Sequence, residues 1–397
     1  MPPRILSAPL ICRLFAVAGL SALSALACSS AQPPPKETGV LPDATTTAKP
    51  EWIPWSVRAG KAVAADPREK HLADLRQLTF GGDNAEAYWA PDGKSLIFQA
   101  TPKGAGCDQI YTIDLGTGDV KQVSTGGGRT TCSYFFPDGK RILYSSTRTQ
   151  GAACPPKPDR SRGYVWPLDE YDVFTAAPDG SGVAPFITGP GYDAETTIAP
   201  NGSRLVFTSV RDGDLDLYTA NLDGSHITRI TNAPGYDGGA FFSPDSTKLV
   251  WRAARPTGAD LDDYKALIAQ KMVRPGRLEI WVSGADGQNP RAVTSNGRAN
   301  FAPSYLPDSR RVIFASNIDA APPSSGRPPN FDLYVIDPDG PLTAAGVPPT
   351  ERVTFSEEFD SFPMFSPDGK YLVFTSNRLG SEPGETNVFV ARWIETP

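Results

Sequence analysis

From residue 75 onward the chain alternates short apolar runs with polar breaks of one recurring kind. Six apolar triplets, 96–98, 142–144, 205–207, 249–251, 312–314 and 372–374, each begin five residues after a proline. Those prolines open Pro91-Asp92-Gly93, Pro137-Asp138-Gly139, Pro200-Asn201-Gly202, Pro244-Asp245-Ser246, Pro307-Asp308-Ser309 and Pro367-Asp368-Gly369. Branched and aromatic runs bounded by such residues predict strands. Proline presets φ, the Asp or Asn oxygen accepts from the backbone two residues on, and glycine takes positive φ, so each break is a tight turn. Second strands are expected near 109–113, 171–175, 216–219, 279–282, 332–336 and 387–390, with short third ones such as 121–123, 228–230 and 352–354. Asp-Gly pairs at 179–180, 223–224, 286–287 and 339–340 supply the next hairpins. Each unit thus predicts a four-stranded antiparallel meander. One such unit cannot bury both faces, but six around an axis can, so the expected fold is an all-β, six-bladed β-propeller. The chain ends before an outer strand for blade six. Residues 75–79 carry that strand's pattern and are expected to close the ring, removing its open edges.

Composition agrees with many tight turns. The 397 residues include 40 Pro and 37 Gly, roughly a fifth of the chain against about 12% in ordinary proteins. With 10% aromatic residues the chain is not of the disordered class. A net charge of −6 and a pI near 5.2 argue against a general basic surface for nucleic acid. With two histidines, His71 and His226, a His-rich metal or acid–base centre is excluded. The chain contains no Gly-x-Ser-x-Gly elbow, P-loop, His-Glu-x-x-His or Cys-x-x-Cys.

The N-terminus reads as an export signal. Arg4 and Arg13 precede the uncharged stretch 14–27, which at 14 residues falls short of the roughly 20 that span a bilayer. Ala25-Leu26-Ala27 is a small-x-small cleavage site directly before Cys28. This resembles the lipobox of bacterial lipoproteins, with Ala25 where that motif usually has Leu. The resemblance implies lipidation of Cys28, and Ser29 after it implies sorting to the outer membrane; an ordinary signal-peptidase cut at the same bond would leave a soluble periplasmic protein. The expected organisation is a signal peptide at 1–27, a Pro-rich lipid-anchored tether at 28–70 and the propeller at 71–397, with Trp52 and Trp55 placed to dock on the body.

Phe365-Ser366-Pro367-Asp368-Gly369, followed by Phe374-Thr375-Ser376-Asn377-Arg378, resembles the repeat of TolB-type six-bladed propellers. The resemblance covers residues 75–395. It implies a non-catalytic, monomeric envelope protein that binds a protein or peptidoglycan-associated partner and touches the membrane only through its anchor. Such proteins carry an α/β domain ahead of the propeller; residues 29–70 are too short for one, so the resemblance is to the propeller alone.

Chain direction places the long insertions, near 149–170, 256–277 and 319–330, on one face. Leu261, Tyr264, Leu267, Ile268 and Met272 recur at helical spacing in the second. Cys107, Cys132 and Cys154 fall on that same face, and an exported chain would oxidise a pair; Cys107 is expected to bond Cys154 or Cys132, leaving one thiol. Seven residues before the turn prolines stand Asn84, Thr130, Asp193, Asp237, Asn300 and Asp360, with Glu86 and Glu195 two further on. These define an oxygen-rich channel mouth. It could hold Ca²⁺ or Mg²⁺, receive a basic partner, or consist of turn caps paired with Arg148, Arg211 and Arg378. The alternative function is a metal-dependent hydrolase or lyase using Asp193, Asp237, Asp360, Glu86 and Glu195. Asp212-Gly213-Asp214 reads as a turn.

Overall fold

The computed structural model describes residues 57–395 apart from 160, 162, 321–329 and 358. These residues form six antiparallel blades in a ring, with a single α-helix among them. The inner strands are Asp83–Trp89, Thr130–Phe135, Asp193–Ile198, Asp237–Phe242, Asn300–Tyr305 and Asp360–Phe365. The next strand outward is buried on both faces: every residue of Ile142–Ser146, Leu205–Ser209 and Val312–Ser316 is buried. Neighbouring blades cover it from either side, which is why its sequence is a continuous apolar run rather than an alternating one. One core cluster, for example, joins Leu143 and Val173 of blade two to Ile198 and Phe207 of blade three.

Closure occurs as the sequence predicts. Leu72–Gln77 pairs antiparallel with Asn387–Trp393, setting Leu72 opposite Trp393 and Gln77 opposite Phe389. A side-chain bond marks it as a true outer strand. Thr79 Oγ1 accepts from the Val388 amide, as Ser124, Thr231, Thr294 and Thr354 accept from Ile110, Leu217, Ile280 and Leu333 in other blades. The His71 ring stacks on Trp393 at 4.4 Å and seals the seam.

The folded body starts earlier than residue 71. Lys61–Ala62 adds a fifth strand outside Leu72–Gln77, and Ala59 is buried in the core between blades six and one. Gly60 makes this possible: at φ +74° a Cβ there would lie 2.1 Å from the Gln77 carbonyl oxygen. The signal segment, Cys28, Ser29, Trp52 and Trp55 lie outside the described residues.

The insertions of blades two and four join over blade three. Helix α1, Gly258–Ile268, carries Leu261, Tyr264, Leu267 and Ile268 of the apolar spacing but stops short of Met272, which lies in a strand instead. After it, Met272–Val273 pairs antiparallel with Trp166–Pro167 from the blade-two insertion. Leu168, Tyr264, Val273 and Leu278 pack there against Leu215 and Tyr236, and the Tyr264 hydroxyl donates to Asp214. Most of the blade-five insertion, 321–329, lies outside the described residues. Cys107 bonds Cys154, with Cα atoms 5.8 Å apart, and Cys132 keeps its thiol. The bridge closes a loop across a separation of 47 residues. Cys107→Ser is therefore expected to lower stability by about 2–4 kcal/mol, read as the urea midpoint of oxidised protein.

Candidate functional site

Every inner strand carries a β-bulge at the same place. The pairing shifts between Ala85 and Tyr88, Thr131 and Tyr134, Ala194 and Thr197, Gly238 and Phe241, Phe301 and Ser304, and Ser361 and Met364. In each case two residues face one buried aromatic residue on the next strand: Phe98, Tyr144, Phe207, Trp251, Phe314 or Phe374. The first of the two has positive φ: Glu86 (+53°), Cys132 (+51°), Glu195 (+57°), Gly239 (+62°), Ala302 (+49°) and Phe362 (+53°). Such a bulge re-aims side chains, and these six residues line a single pocket in the central channel.

The bulge divides the residues expected at the mouth. Glu86 and Glu195 reach the channel. Asn84, Asp193, Asp237, Asn300 and Asp360 are buried behind its wall, each bonded within the scaffold. Asp193 pairs with Arg211 at 2.9 Å, Asp237 with Arg255 at 2.7 Å and Asp360 with Arg378 at 2.9 Å. Asn84 donates to Thr386 and Gly81 carbonyls, and Asn300 to the Leu278 carbonyl. Burial raises the Asp237 carboxyl to about 7 against the opposing pull of Arg255. The oxygen-rich ring is thus a set of strand-start caps, and the Arg148 guanidinium lies over the Phe174 ring.

The pocket has a polar and an apolar arc. Blades one to three supply Glu86, Cys132, Ser133, Glu195 and Thr196; blades five and six supply Ala302 and Phe362. Arg252 enters from blade four and pairs with Glu195, whose other oxygen accepts from the Gly239 amide and Thr208 hydroxyl, both at 2.8 Å. The guanidinium lies 5.5 Å from the Trp166 and Tyr236 rings. Gly239 admits it: a Cβ there would sit 2.1 Å from Arg252 Nη1. Towards the turn face, Tyr88, Tyr134 and Phe241, from blades one, two and four, meet with centroids 5.5–6.3 Å apart and floor the channel. The cavity left is about 20 Å³, room for roughly one water. Towards the insertion face Phe301, Phe331, Phe359 and Phe362 cluster, with Phe301 and Phe331 4.8 Å apart.

Burial, then repulsion from Glu195, raises the Glu86 carboxyl to about 7, with Arg252 opposing. The same burial and carboxylates push the Cys132 thiol well up, so it stays protonated and unreactive. A carboxyl raised on folding contributes stability that is complete below its unfolded value of about 4.3 and is lost as pH rises through 7. Glu86→Gln is therefore expected to flatten the fall in melting temperature between about pH 5 and pH 8; an unchanged pH profile would refute the raised carboxyl. Among the described residues no three His, Cys, Asp or Glu side chains converge as metal ligands. Sequence reading missed Cys132, Arg252, Gly239 and the aromatic floor. The usable signal was the position five residues before each turn proline, not seven.

No family model matches the chain. Over 152 residues it is 26% identical to the Tol-Pal system protein TolB of Bordetella pertussis, and equally to those of Bordetella parapertussis and Bordetella bronchiseptica. The match takes in 30% of this chain and 33% of each relative, about a third of their length. A putative TolB from Agrobacterium tumefaciens superposes with a TM-score of 0.50 at 17% identity, over 79% of this chain and 91% of that one. The chain is a six-bladed β-propeller, similar over about a third of its length to TolB. A second solved structure, the Kuenenia stuttgartiensis hydrazine synthase, also gives a TM-score of 0.50, at 12% identity over 85% of this chain and 52% of that one. At such identities the likeness concerns the fold alone, and the propeller ring is one that different activities share.

Proposed function

We propose that this TolB-type propeller is a non-catalytic protein of the bacterial cell envelope that binds a protein partner through its insertion face. The observation that carries the reading is the channel itself. Arg252 and the Tyr88–Tyr134–Phe241 floor reduce it to a water-sized cavity, so extended recognition falls to the surface above it. There the joined insertions and the half-buried phenylalanines present a shaped apolar and aromatic surface, and insertions gathered on one face of a ring favour binding. The likeness to Tol-Pal system proteins supports an envelope location and a protein partner. In the finer form of the proposal, Cys28 is lipidated, the anchor lies in the outer membrane, and the monomeric body faces a peptidoglycan-associated partner.

Phe80 and Leu379 are 60% and 64% exposed in connections on the insertion face. Phe80→Ser combined with Leu379→Asn is expected to leave stability within about 0.5 kcal/mol while abolishing in-cell cross-linking to the partner. Recovery of the same cross-linked proteins with the double variant as with the unaltered protein would refute the insertion face as the docking surface. A metal-dependent hydrolase or lyase is the second reading, favoured by one observation: a carboxyl raised to about 7 in a channel pocket is what acid–base chemistry uses. It requires bound divalent metal in purified protein and a fall in melting temperature with chelator.

A further inference from the structure

We propose that the channel pocket is a binding site for one small monovalent cation, held between the Glu86 carboxylate and the hydroxyl oxygens of Ser133 and Thr196. Ser133 Oγ and Thr196 Oγ1 have no hydrogen-bond partner. Their residues are 2% and 1% exposed, and both line the cavity that Glu86 lines. A buried hydroxyl without a partner costs about 1–3 kcal/mol, so two in one cavity mark a space shaped around an occupant. The bulges put them there. Cys132 with Ser133, and Glu195 with Thr196, are the residue pairs that oppose one residue of the next strand, which brings hydroxyls and carboxylates to the same short stretch of channel.

Charge selects the occupant. The one cation lining the pocket, Arg252, is paired with Glu195, and both Glu195 oxygens are engaged. With Arg252 shared between them, the Glu195 and ionised Glu86 carboxylates, the latter also hydrogen-bonded by the Cys132 thiol, leave one net negative charge in a confined space, and a single positive charge balances it. A second would face Arg252, whose Nε also lacks an acceptor and repels cations from its end of the cavity. Size agrees: about 20 Å³ admits an alkali ion stripped of most of its water, whereas Mg²⁺ keeps several waters. The carboxylate and hydroxyl oxygens are hard ligands suited to such an ion.

The test uses the whole chain. Melting temperature is measured in sodium, potassium and choline chloride at equal ionic strength. At about pH 8, sodium or potassium is expected to raise it by about 2 °C over choline. Glu86→Gln is expected to remove the difference. Because that variant changes the pocket itself, a second measurement stands beside it: a wild-type crystal soaked in thallous ion should show an anomalous peak at the Glu86 carboxylate. Identical melting in all three salts, or a soaked crystal with only water in the cavity, would overturn the proposal. Neither result bears on partner binding at the insertion face.

Discussion

Replacing Arg378 with alanine is expected to lower stability by about 3–5 kcal/mol, the largest loss from a single truncation in this ring. Its guanidinium binds two carboxylates with no exposed side-chain surface, Glu69 at 3.0 and 3.1 Å and Asp360 at 2.9 Å. Glu69 precedes the closing strand, and Asp360 begins the innermost strand of blade six. One side chain therefore ties the N-terminal segment to the channel wall. Removing it strands two buried charges, and burial already raises the Asp360 carboxyl while Arg378 pulls it back. The Ala variant should show an earlier urea midpoint. Lysine should recover only part of the loss, since it lacks the planar fork. Neutralising both acids in the Ala background, with Glu69→Gln and Asp360→Asn, should restore much of it. A loss under about 1 kcal/mol would mean that the closure does not depend on this clasp.

The second large effect centres on Gly239. Alanine there meets two obstacles: backbone φ of +62° and a Cβ 2.1 Å from Arg252 Nη1. Relief requires Arg252 to leave Glu195, so Gly239→Ala should destabilise about as much as Arg252→Met, roughly 3 kcal/mol or more in each case. The two changes should be strongly non-additive, because both act by breaking one ion pair. Adding Glu195→Gln to Arg252→Met should recover stability by removing the stranded charge. Additive losses in the double-mutant cycle would contradict the linkage between glycine and guanidinium.

Much of this architecture is written in local chemistry. The Pro-Asp-Gly breaks and the apolar triplets behind them specify turn and strand within ten residues, and their sixfold recurrence specifies the ring. The outer-strand pattern at 75–79 marks the closure, because Thr79 occupies the place that Thr231 and Thr354 hold in complete blades. The helix at 258–268 follows from its own apolar spacing. The channel was harder to read. Counting back from the prolines finds the first residue of each inner strand, and an unbroken strand would alternate faces from there. The conserved spacing of a bulge between that residue and the turn is not encoded by any residue type: Glu86, Cys132, Glu195, Ala302 and Phe362 share positive φ although only glycine favours it.

What the sequence determined by itself, then, is the number of blades, their order, their turns and the strand that joins the ends, since each depends on contacts between near neighbours or on a repeated pattern. The tertiary structure alone decided which oxygens face the channel, that Arg252 crosses Gly239 to fill it, that Cys154 rather than Cys132 bonds Cys107, and that two insertions far apart in sequence join over blade three (Trp166 opposite Val273). The physical reason is the same in each case. A bulge turns side chains toward the channel at a regular position that no residue type marks, and an ion pair or disulfide forms between groups that only ring closure brings within reach, so neither can be read from the local chemistry of the chain.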